Sequence, residues 1–324
     1  MLSNFLNPPG QSLEEPRGNG MYSSISHWPK ISIITPSFNQ SQYIEFTIQS
    51  VLQQKYPNLE FIIIDGGSTD GSVDIIQKYE KSIAHWISEP DEGQTHAIQK
   101  GLSIATGDIF NWINSDDLLA PNALWHIGKT HAENPDAIIA GPVENFQGLS
   151  TQIIANKNLS FKNFMLNSKD FSFHQPGVWI PLKKWDIVQA LDRSYHYVFD
   201  HKMMIELLYQ GARIEYIPQL LAHFRLHESS KSVAQSVRFH EEFFRLFDEY
   251  LRDSRFTEYH PMIEETIANH HQKWDWKDRL AAIQSRAGSR WGKALQIAQL
   301  ILTKPDEHLN RFSLGAMKKC LTLK

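Results

Sequence analysis

Three short apolar runs, each ending abruptly in polar turn residues, constrain the fold of this chain more than any other feature. They cover residues 31–34, 61–64 and 109–113, and they end at Thr35-Pro36, Asp65-Gly66-Gly67 and Asn114-Ser115-Asp116-Asp117. Short runs rich in β-branched and aromatic residues are typical of strands that are buried on both faces, as in a parallel sheet. The chain is therefore predicted to contain a sheet whose polar strand ends lie along one edge.

Helical patterns separate these runs. Ile44, Ile48, Val51 and Leu52 have the spacing of one helix face, and similar patterns follow at residues 75–79 and 98–105. Asp70 is placed to cap the second of these helices. The alternation of strands and helices predicts a doubly wound α/β domain, with its ligand at the carboxyl ends of the strands.

The pattern also divides the chain into regions. Residues 1–29 are rich in Ser, Asn, Gly and Pro without periodicity and are predicted to be a flexible leader. Residues 30–232 are predicted to form the α/β domain, although the alternation fades after residue 150. There a helix is expected over 198–209, ended by a glycine at 211, and strands at 214–217 and 220–226. Residues 233–324 are predicted to be helical.

Composition excludes some functions and disfavours others. The formal net charge is −4, which gives no sign of nucleic-acid binding. The single cysteine, Cys320, cannot form an internal disulfide, so a cytoplasmic location is expected. The sequence contains no run of about 18 apolar residues, so no membrane span is predicted. The loop after residue 34 lacks a Gly-x-Gly-x-x-Gly motif, which argues against a dinucleotide dehydrogenase.

Asp65, Asp116 and Asp117 each follow an apolar run and are expected to face one crevice. Adjacent buried carboxylates are costly unless something neutralises them, and Mg²⁺ or Mn²⁺ would do so while leaving sites for phosphate. A simpler interpretation is that Asp116 and Asp117 cap a helix near Pro121, and that the Asp65 segment is only a turn. The spacing alone leaves both interpretations open.

Four motifs in order carry a resemblance to a known family. They are Thr35-Pro36-Ser37-Phe38-Asn39, Asp65-Gly66-Gly67-Ser68-Thr69-Asp70-Gly71, Glu89-Pro90-Asp91-Glu92-Gly93-Gln94 with Lys100-Gly101, and Asn114-Ser115-Asp116-Asp117. Together they resemble the inverting family 2 glycosyltransferases with the GT-A fold, of the kind that builds bacterial surface polysaccharides. The resemblance implies a Rossmann-like mixed sheet flanked by helices, with a nucleotide half at 30–145 and an acceptor half at 146–232.

The resemblance also implies a site. A donor nucleotide-sugar would contact Thr35, Pro36, Phe38, Asp65, Gly67, Asp91, Gly93, Lys100, Asn114, Ser115, Asp116 and Arg225. Mg²⁺ or Mn²⁺ would be held by Asp116, Asp117 and His227, the last of which lies in a segment similar to the family's Arg-x-His-x-x-Ser. Asn114 stands where the family normally has an aspartate, so one carboxylate of the metal motif is an amide here.

Asp200 is similar to the family's acid that deprotonates the acceptor hydroxyl, and direct displacement would then invert the anomeric carbon. Taken without the resemblance, Asp200 is as well explained as a helix cap. Two other functions stay open: a catalytically impaired nucleotide-binding scaffold, which Asn114 allows, and a sugar nucleotidyltransferase. The latter is disfavoured because the loop at 35–40 has neither glycine nor a cation.

The partners implied are a nucleotide-sugar and a glycan or lipid-linked acceptor. Residues 271–324 contain eleven basic and four acidic side chains, a balance of +7. Trp291, Leu295, Ala298 and Leu302 would share one helical face, which could rest on the anionic inner face of the cytoplasmic membrane. The alternative is a helix that packs on its own domain and leaves a solvated basic face.

Overall fold

The computed structural model describes residues 25, 27–166, 170–182, 191–227, 236–285, 289–303, 314 and 317–318. Residues 1–24 and 26 of the predicted leader lie outside this set, as do residues 228–230, the end of the segment similar to Arg-x-His-x-x-Ser. The chain divides into two units, Met1–Leu246 and Phe247–Lys324. This division falls later in the chain than the boundary after residue 232 that the sequence suggests.

Strands and helices alternate through the first part of the chain, as expected. In chain order the strands are β1 (Ile31–Ser37), β2 (Leu59–Asp65), β3 (His85–Ser88), β4 (Ile109–Trp112), β5 (Leu118–Leu119), β6 (Ile138–Ala140), β7 (Val143–Gln147), β8 (Ser150–Ile154), β9 (Val178–Pro181), β10 (Ile214–Tyr216) and β11 (Ala222–Arg225). The α-helices are α1 (Ile44–Leu52), α2 (Ser72–Lys78), α3 (Gln94–Ile104), α4 (Ala123–Glu133), α5 (Phe161–Leu166), α6 (Phe199–Tyr209), α7 (Ser236–Arg252), α8 (His260–Ser285) and α9 (Arg290–Thr303).

The main sheet has the order β10-β6-β9-β4-β1-β2-β3. Strands β4, β1, β2 and β3 are parallel, whereas β9 is antiparallel to both β4 and β6. All residues of β1 and β4 are buried, which explains why these strands read as continuous apolar runs. The carboxyl ends of β1, β2 and β4 meet at one edge, because parallel strands end on the same side.

A second sheet, in the order β5-β11-β7-β8, supports this edge. β11 pairs antiparallel with β5 and parallel with β7. A strand near residues 220–226 is expected from the sequence, whereas β5, β7 and β8 are not. β5 is only two residues long and β8 is mostly exposed, so neither leaves a clear pattern. Since β5 begins directly after Asp117, its pairing with β11 brings residues 225–227 beside Asp116 and Asp117.

The helix ends test the residues that the sequence suggests as caps. α4 begins at Ala123 and its N-cap is Asn122, so Asp116 and Asp117 do not cap it. The N-cap of α2 is Gly71 at φ +98°, while Asp70 accepts the N–H of Ser72, the first residue of the helix, at 3.0 Å. Gly211 follows the end of α6 at φ +84°, as expected for a glycine that terminates a helix.

Within the second unit, α9 has one packed face and one exposed apolar face. Ala294, Ile297 and Ile301 are buried. Trp291 is 77% exposed, Leu295 61% and Leu302 72%, and their spacing places these three side chains on the same face. None of the helices that the structure describes combines the length and the apolar character needed to cross a membrane.

Candidate functional site

The carboxyl end of β1 presents two buried hydroxyls without partners. Thr35 and Ser37 lie on the same side of the strand, and among the described residues neither side-chain oxygen has a hydrogen-bond partner. Pro36 lies buried between them, and Phe38 follows at 60% exposure. Leaving a buried hydroxyl unpaired costs free energy, so a polar group that reached either hydroxyl would be bound favourably.

The Asp65 carboxylate organises the loop after β2 and does not face an open crevice. Asp65 is fully buried, and one of its oxygens accepts hydrogen bonds from the N–H groups of Gly67 and Ser68 and from Ser88 Oγ at 3.1, 2.8 and 2.7 Å. The other oxygen accepts from Ser68 Oγ at 2.6 Å. The expectation that Asp65 faces a crevice is therefore wrong, because a carboxylate in this turn satisfies the donors of the turn itself. Gly67, at φ +81°, provides the left-handed conformation the turn needs.

Asp91 joins this loop to the start of α3. Its Oδ1 accepts the N–H of Gly93 at 2.7 Å, and its Oδ2 lies so close to Gly66 that a Cβ built there would be 2.8 Å away. Gly93, at φ +109°, opens the helix. Lys100 is expected to contact the nucleotide-sugar, but in the structure it forms an ion pair with Glu89 at 2.7 Å.

A partly buried chain of hydrogen bonds links α3, the loop after β4, and β11. Gln94 Nε2 donates to Asn114 Oδ1 at 2.7 Å, and Asn114 Nδ2 donates to Asp117 Oδ2 at 3.2 Å. The other Asp117 oxygen accepts the backbone N–H of Arg225 at 2.9 Å. Ser115 is buried within the same loop. This chain ties both sheets together at the strand ends.

Asp117 is therefore not a crevice-facing carboxylate, and the expectation that it faces an open crevice is wrong. The residue has no exposed surface, and burial followed by the charge of Asp116 raises its pKa well above the usual range. A side chain that follows a strand can point into the core as easily as out of it, and only the position of β11 decides between the two. Asp117 therefore positions Asn114 and Arg225 through its hydrogen bonds.

Asp116 keeps a partly exposed carboxylate, which lies beside a histidine and an arginine. His227 Nε2 is 2.9 Å from Asp116 Oδ2, and Arg225 Nε donates to the backbone oxygen of Asp116 at 2.9 Å. The Arg225 guanidinium lies over the rings of Tyr43 and Phe146, at 5.0 and 4.6 Å from their centroids. Tyr43 and Phe146 lie in no motif, so the sequence gives no signal for their role.

The described residues contain no cluster of three or more His, Cys, Asp or Glu side chains that could hold a metal. Asp116 and His227 bring one carboxylate and one imidazole together, and Mn²⁺ accepts both ligand types. The oxygens of Asp117 are already used by Asn114 and Arg225. Asp116 and His227 would thus supply two ligands to a divalent ion, and the remaining ligands would come from phosphate oxygens and water.

Asp200 lies in the first turn of α6 but is not its cap. The N-cap is Val198, and Asp200 Oδ1 accepts the N–H of His201 at 2.8 Å. Burial raises the pKa of Asp200 to about 6, because it disfavours the charged form. A carboxylate with a pKa near neutrality is suited to exchange a proton at physiological pH.

We expect Asn114→Asp to destabilise the protein, and to do so more as the pH rises. The introduced carboxylate could still accept from Gln94, but it would stand about 3.2 Å from Asp117 Oδ2, where the Asn114 amide now donates. Two such carboxylates share a proton, so their pKa is higher in the folded state than in the unfolded state. Stability is then retained at low pH and lost as the pH rises through the raised pKa.

Urea unfolding at pH 5 and pH 8 measures this effect. The loss should reach about 1–3 kcal/mol at pH 8 and be smaller at pH 5. Gln147→Glu, the same amide-to-acid change at an exposed strand residue, should cost little at either pH. A pH-independent loss for Asn114→Asp would mean that Asn114 and Asp117 do not interact as described.

Comparisons with known proteins relate part of the chain to a family of enzymes. Residues 32–181 match the family described as Glycosyl transferase family 2. A teichuronic acid biosynthesis glycosyltransferase of Bacillus subtilis, TuaG, is 43% identical over 97 residues, which cover 29% of this chain and 38% of that protein. An uncharacterized glycosyltransferase of Haemophilus influenzae is 27% identical over 247 residues, covering 67% of this chain and 71% of its own length. The chain thus spans little more than a third of the length of the Bacillus protein.

Solved structures show the same fold at low sequence identity. Staphylococcus aureus TarS 1-349 in complex with UDP-GlcNAc superposes with a TM-score of 0.58 at 16% identity, covering 75% of this chain and 72% of that chain. The mannosyltransferase PcManGT of Pyrobaculum calidifontis, in complex with GDP-Man and Mn²⁺, gives 0.55 at 19% identity, covering 92% and 88%. The chain therefore has the GT-A fold, and its residues 32–181 match the family 2 glycosyltransferases.

Proposed function

We propose that this protein is an inverting glycosyltransferase that moves a sugar from a nucleoside-diphosphate donor, UDP-linked, to a glycan or lipid-linked acceptor. The observation that carries the proposal is the Asp116–His227 pair beside the Arg225 guanidinium, at the strand ends of a family 2 domain. A cation and metal-binding groups in one place suit a diphosphate leaving group. The complexes of TarS with UDP-GlcNAc and of PcManGT with GDP-Man support a nucleotide-sugar donor.

The donor nucleotide would lie along the carboxyl ends of β1 and β2. The unpartnered hydroxyls of Thr35 and Ser37 would bind its polar groups, and the exposed ring of Phe38 would cover an apolar face. Asp65 and Gly67 would act by holding the backbone of the neighbouring loop in place, since the Asp65 oxygens are already bonded. Asp91 and Gly93 would border the donor from the start of α3.

The diphosphate would lie near Asp116, His227 and Arg225. A bound Mg²⁺ or Mn²⁺ would offset the negative charge that develops on the leaving diphosphate. Asp116 and His227 would supply its two protein ligands. The rings of Tyr43 and Phe146 hold the Arg225 guanidinium in place. Asp117 would fix the backbone of Arg225 and, through Asn114, the loop that carries Asp116.

Asp200 would act as the general base that removes the proton from the acceptor hydroxyl as it attacks the anomeric carbon. Its raised pKa suits this step, because a carboxylate in an apolar setting accepts a proton more readily than an exposed one. Direct attack by the acceptor inverts the configuration of the sugar.

We expect turnover to depend on ionisation of Asp200. Below a pH of about 6, kcat/KM should fall roughly tenfold per pH unit, because only the carboxylate can accept the proton. Asp200→Asn should lower turnover by about 10²–10⁴-fold while leaving the nucleotide Kd near that of the wild type. Release of nucleoside diphosphate measures turnover, and calorimetry measures Kd.

Asp192→Asn is the matched control. Asp192 lies eight residues upstream and is paired with Lys202 at 2.9 Å, so its loss should leave the pH profile unchanged. Turnover of Asp200→Asn within a few-fold of the wild type would remove Asp200 from this role.

We expect UDP to bind more tightly in the presence of Mn²⁺. Asp116→Ala and His227→Ala should each reduce the metal-dependent gain by about tenfold, equivalent to about 1.4 kcal/mol, because each removes one of two protein ligands. Calorimetric titration with and without the ion measures the gain. His85→Ala, at an exposed position on β3, serves as the control and should change nothing. Equal UDP affinity with and without metal in the wild type would contradict the metal site.

We expect the intact protein to bind anionic vesicles through the exposed face of α9. Trp291 and Leu295 would insert into the interface, and the +7 balance of residues 271–324 would attract the anionic lipid. Flotation with phosphatidylglycerol vesicles should recover the protein at low salt and less of it at high salt.

Trp291→Gln and Leu295→Gln should reduce this recovery. Leu149→Gln, at a 97% exposed apolar residue of the first unit, is the control and should float like the wild type. Absence of flotation at low salt, or equal recovery with phosphatidylcholine vesicles, would contradict an anionic membrane contact.

A further inference from the structure

A cavity of about 640 Å³ lies between the segment that precedes α6 and the first part of α7. Ser194, His196 and Tyr197 line one wall, and Arg238, Glu241 and Arg245 line the other. A volume of several hundred Å³ is large enough for a small molecule or for one or two sugar rings. Both walls lie outside residues 32–181, so the cavity is not part of the matched family domain.

The wall formed by residues 194–198 is hydrogen-bonded to α7. The Glu242 carboxylate accepts the N–H groups of His196 and Tyr197 at 2.8 and 2.7 Å, and that of Val198 at 3.3 Å. These N–H groups precede the first turn of α6, where a carboxylate is favourable. Arg245 Nη2 donates to Ser194 O at 2.5 Å, and its guanidinium lies over the Tyr195 ring at 3.9 Å. α7 thereby fixes the segment that leads to Asp200.

One wall of the cavity lies next to Gly93 and precedes α6, the helix that carries Asp200. A Cβ built at Gly93 would lie 3.6 Å from His196 Nδ1, so the His196 ring lies between the cavity and the start of α3. Tyr197, on the cavity wall, precedes Asp200 by three residues. A ligand in this cavity would therefore be separated from Gly93 by the His196 ring and would lie near the segment that leads into α6.

Two ionised groups of the cavity are free to bind a ligand. Within the described residues, Arg238 and Glu241 have no hydrogen bond or ion pair, whereas Glu242 and Arg245 are engaged by the opposite wall. Two guanidiniums and two carboxylates give the cavity no net formal charge. This balance favours a neutral ligand with many hydroxyls over an anionic one, because hydroxyls can donate to a carboxylate and accept from a guanidinium.

We propose that this cavity is the acceptor subsite and binds a neutral saccharide through Arg238 and Glu241. The proposal rests on the proposed glycosyltransferase function. Glu242 acts as a positioning residue, since it keeps the Ser194–Val198 wall and the start of α6 in register with α7. Acceptor choice is thereby set by a helix outside the family domain.

The test uses the full chain, saturated with UDP and Mn²⁺, and the methyl glycosides of glucose, galactose, mannose and N-acetylglucosamine. Saturation-transfer NMR detects binding of each glycoside, and calorimetry measures UDP binding to the same samples. At least one glycoside should bind, and Arg238→Ala and Glu241→Ala should each weaken that binding at least about tenfold, a loss of about 1.4 kcal/mol. UDP affinity should stay unchanged.

Arg252→Ala is the matched control, because Arg252 lies on the same helix, is exposed and does not line the cavity. Its glycoside binding should equal that of the wild type. Binding of UDP without any glycoside, or glycoside binding that survives both cavity substitutions, would overturn the acceptor subsite alone. Failure of the wild type to bind UDP would overturn the proposed function itself.

Discussion

The Asp117 carboxylate, buried without contact to solvent, is the interaction on which the candidate site depends. It accepts the backbone N–H of Arg225 from one sheet and the amide of Asn114 from the end of the other. Burial of a carboxylate is unfavourable unless its oxygens are hydrogen-bonded, and these two contacts satisfy that need. The same burial raises the pKa of Asp117. Because Asp117 turns inward, the adjacent Asp116 turns toward His227 and remains partly exposed.

This arrangement accounts for the amide at the position where the family resemblance implies a carboxylate. Asn114 both donates and accepts, and it uses both capacities between Asp117 and Gln94. A third acid at this position would add negative charge beside two neighbouring acids, one of which is fully buried. The hydrogen bonds to Gln94 and Asp117 thus explain why an amide is favourable at position 114. An amide there is compatible with an active site built on Asp116 and His227.

Much of the fold follows from the sequence, because buried parallel strands and amphipathic helices leave strong periodic patterns. β1, β2 and β4 and the helices between them are predicted close to their observed bounds. The two-residue strand β5 leaves no such pattern, and without it the contact between Asp117 and Arg225 cannot be foreseen. The same gap explains why Asp117 is expected to face a crevice although it is buried, whereas Asp65 is buried because it accepts hydrogen bonds from its own turn. Tyr43, Phe146 and Glu242 are brought to the site only by tertiary packing.

The most direct test of this account measures Asp117→Ala for both stability and UDP binding. If Asp117 positions its neighbours, its removal leaves the Arg225 N–H and the Asn114 amide without their acceptor. The free energy of unfolding should then fall by about 2 kcal/mol or more, and UDP affinity should fall with it. A variant as stable as the wild type that nevertheless fails to bind UDP would show that Asp117 contacts the ligand directly, and would contradict the account.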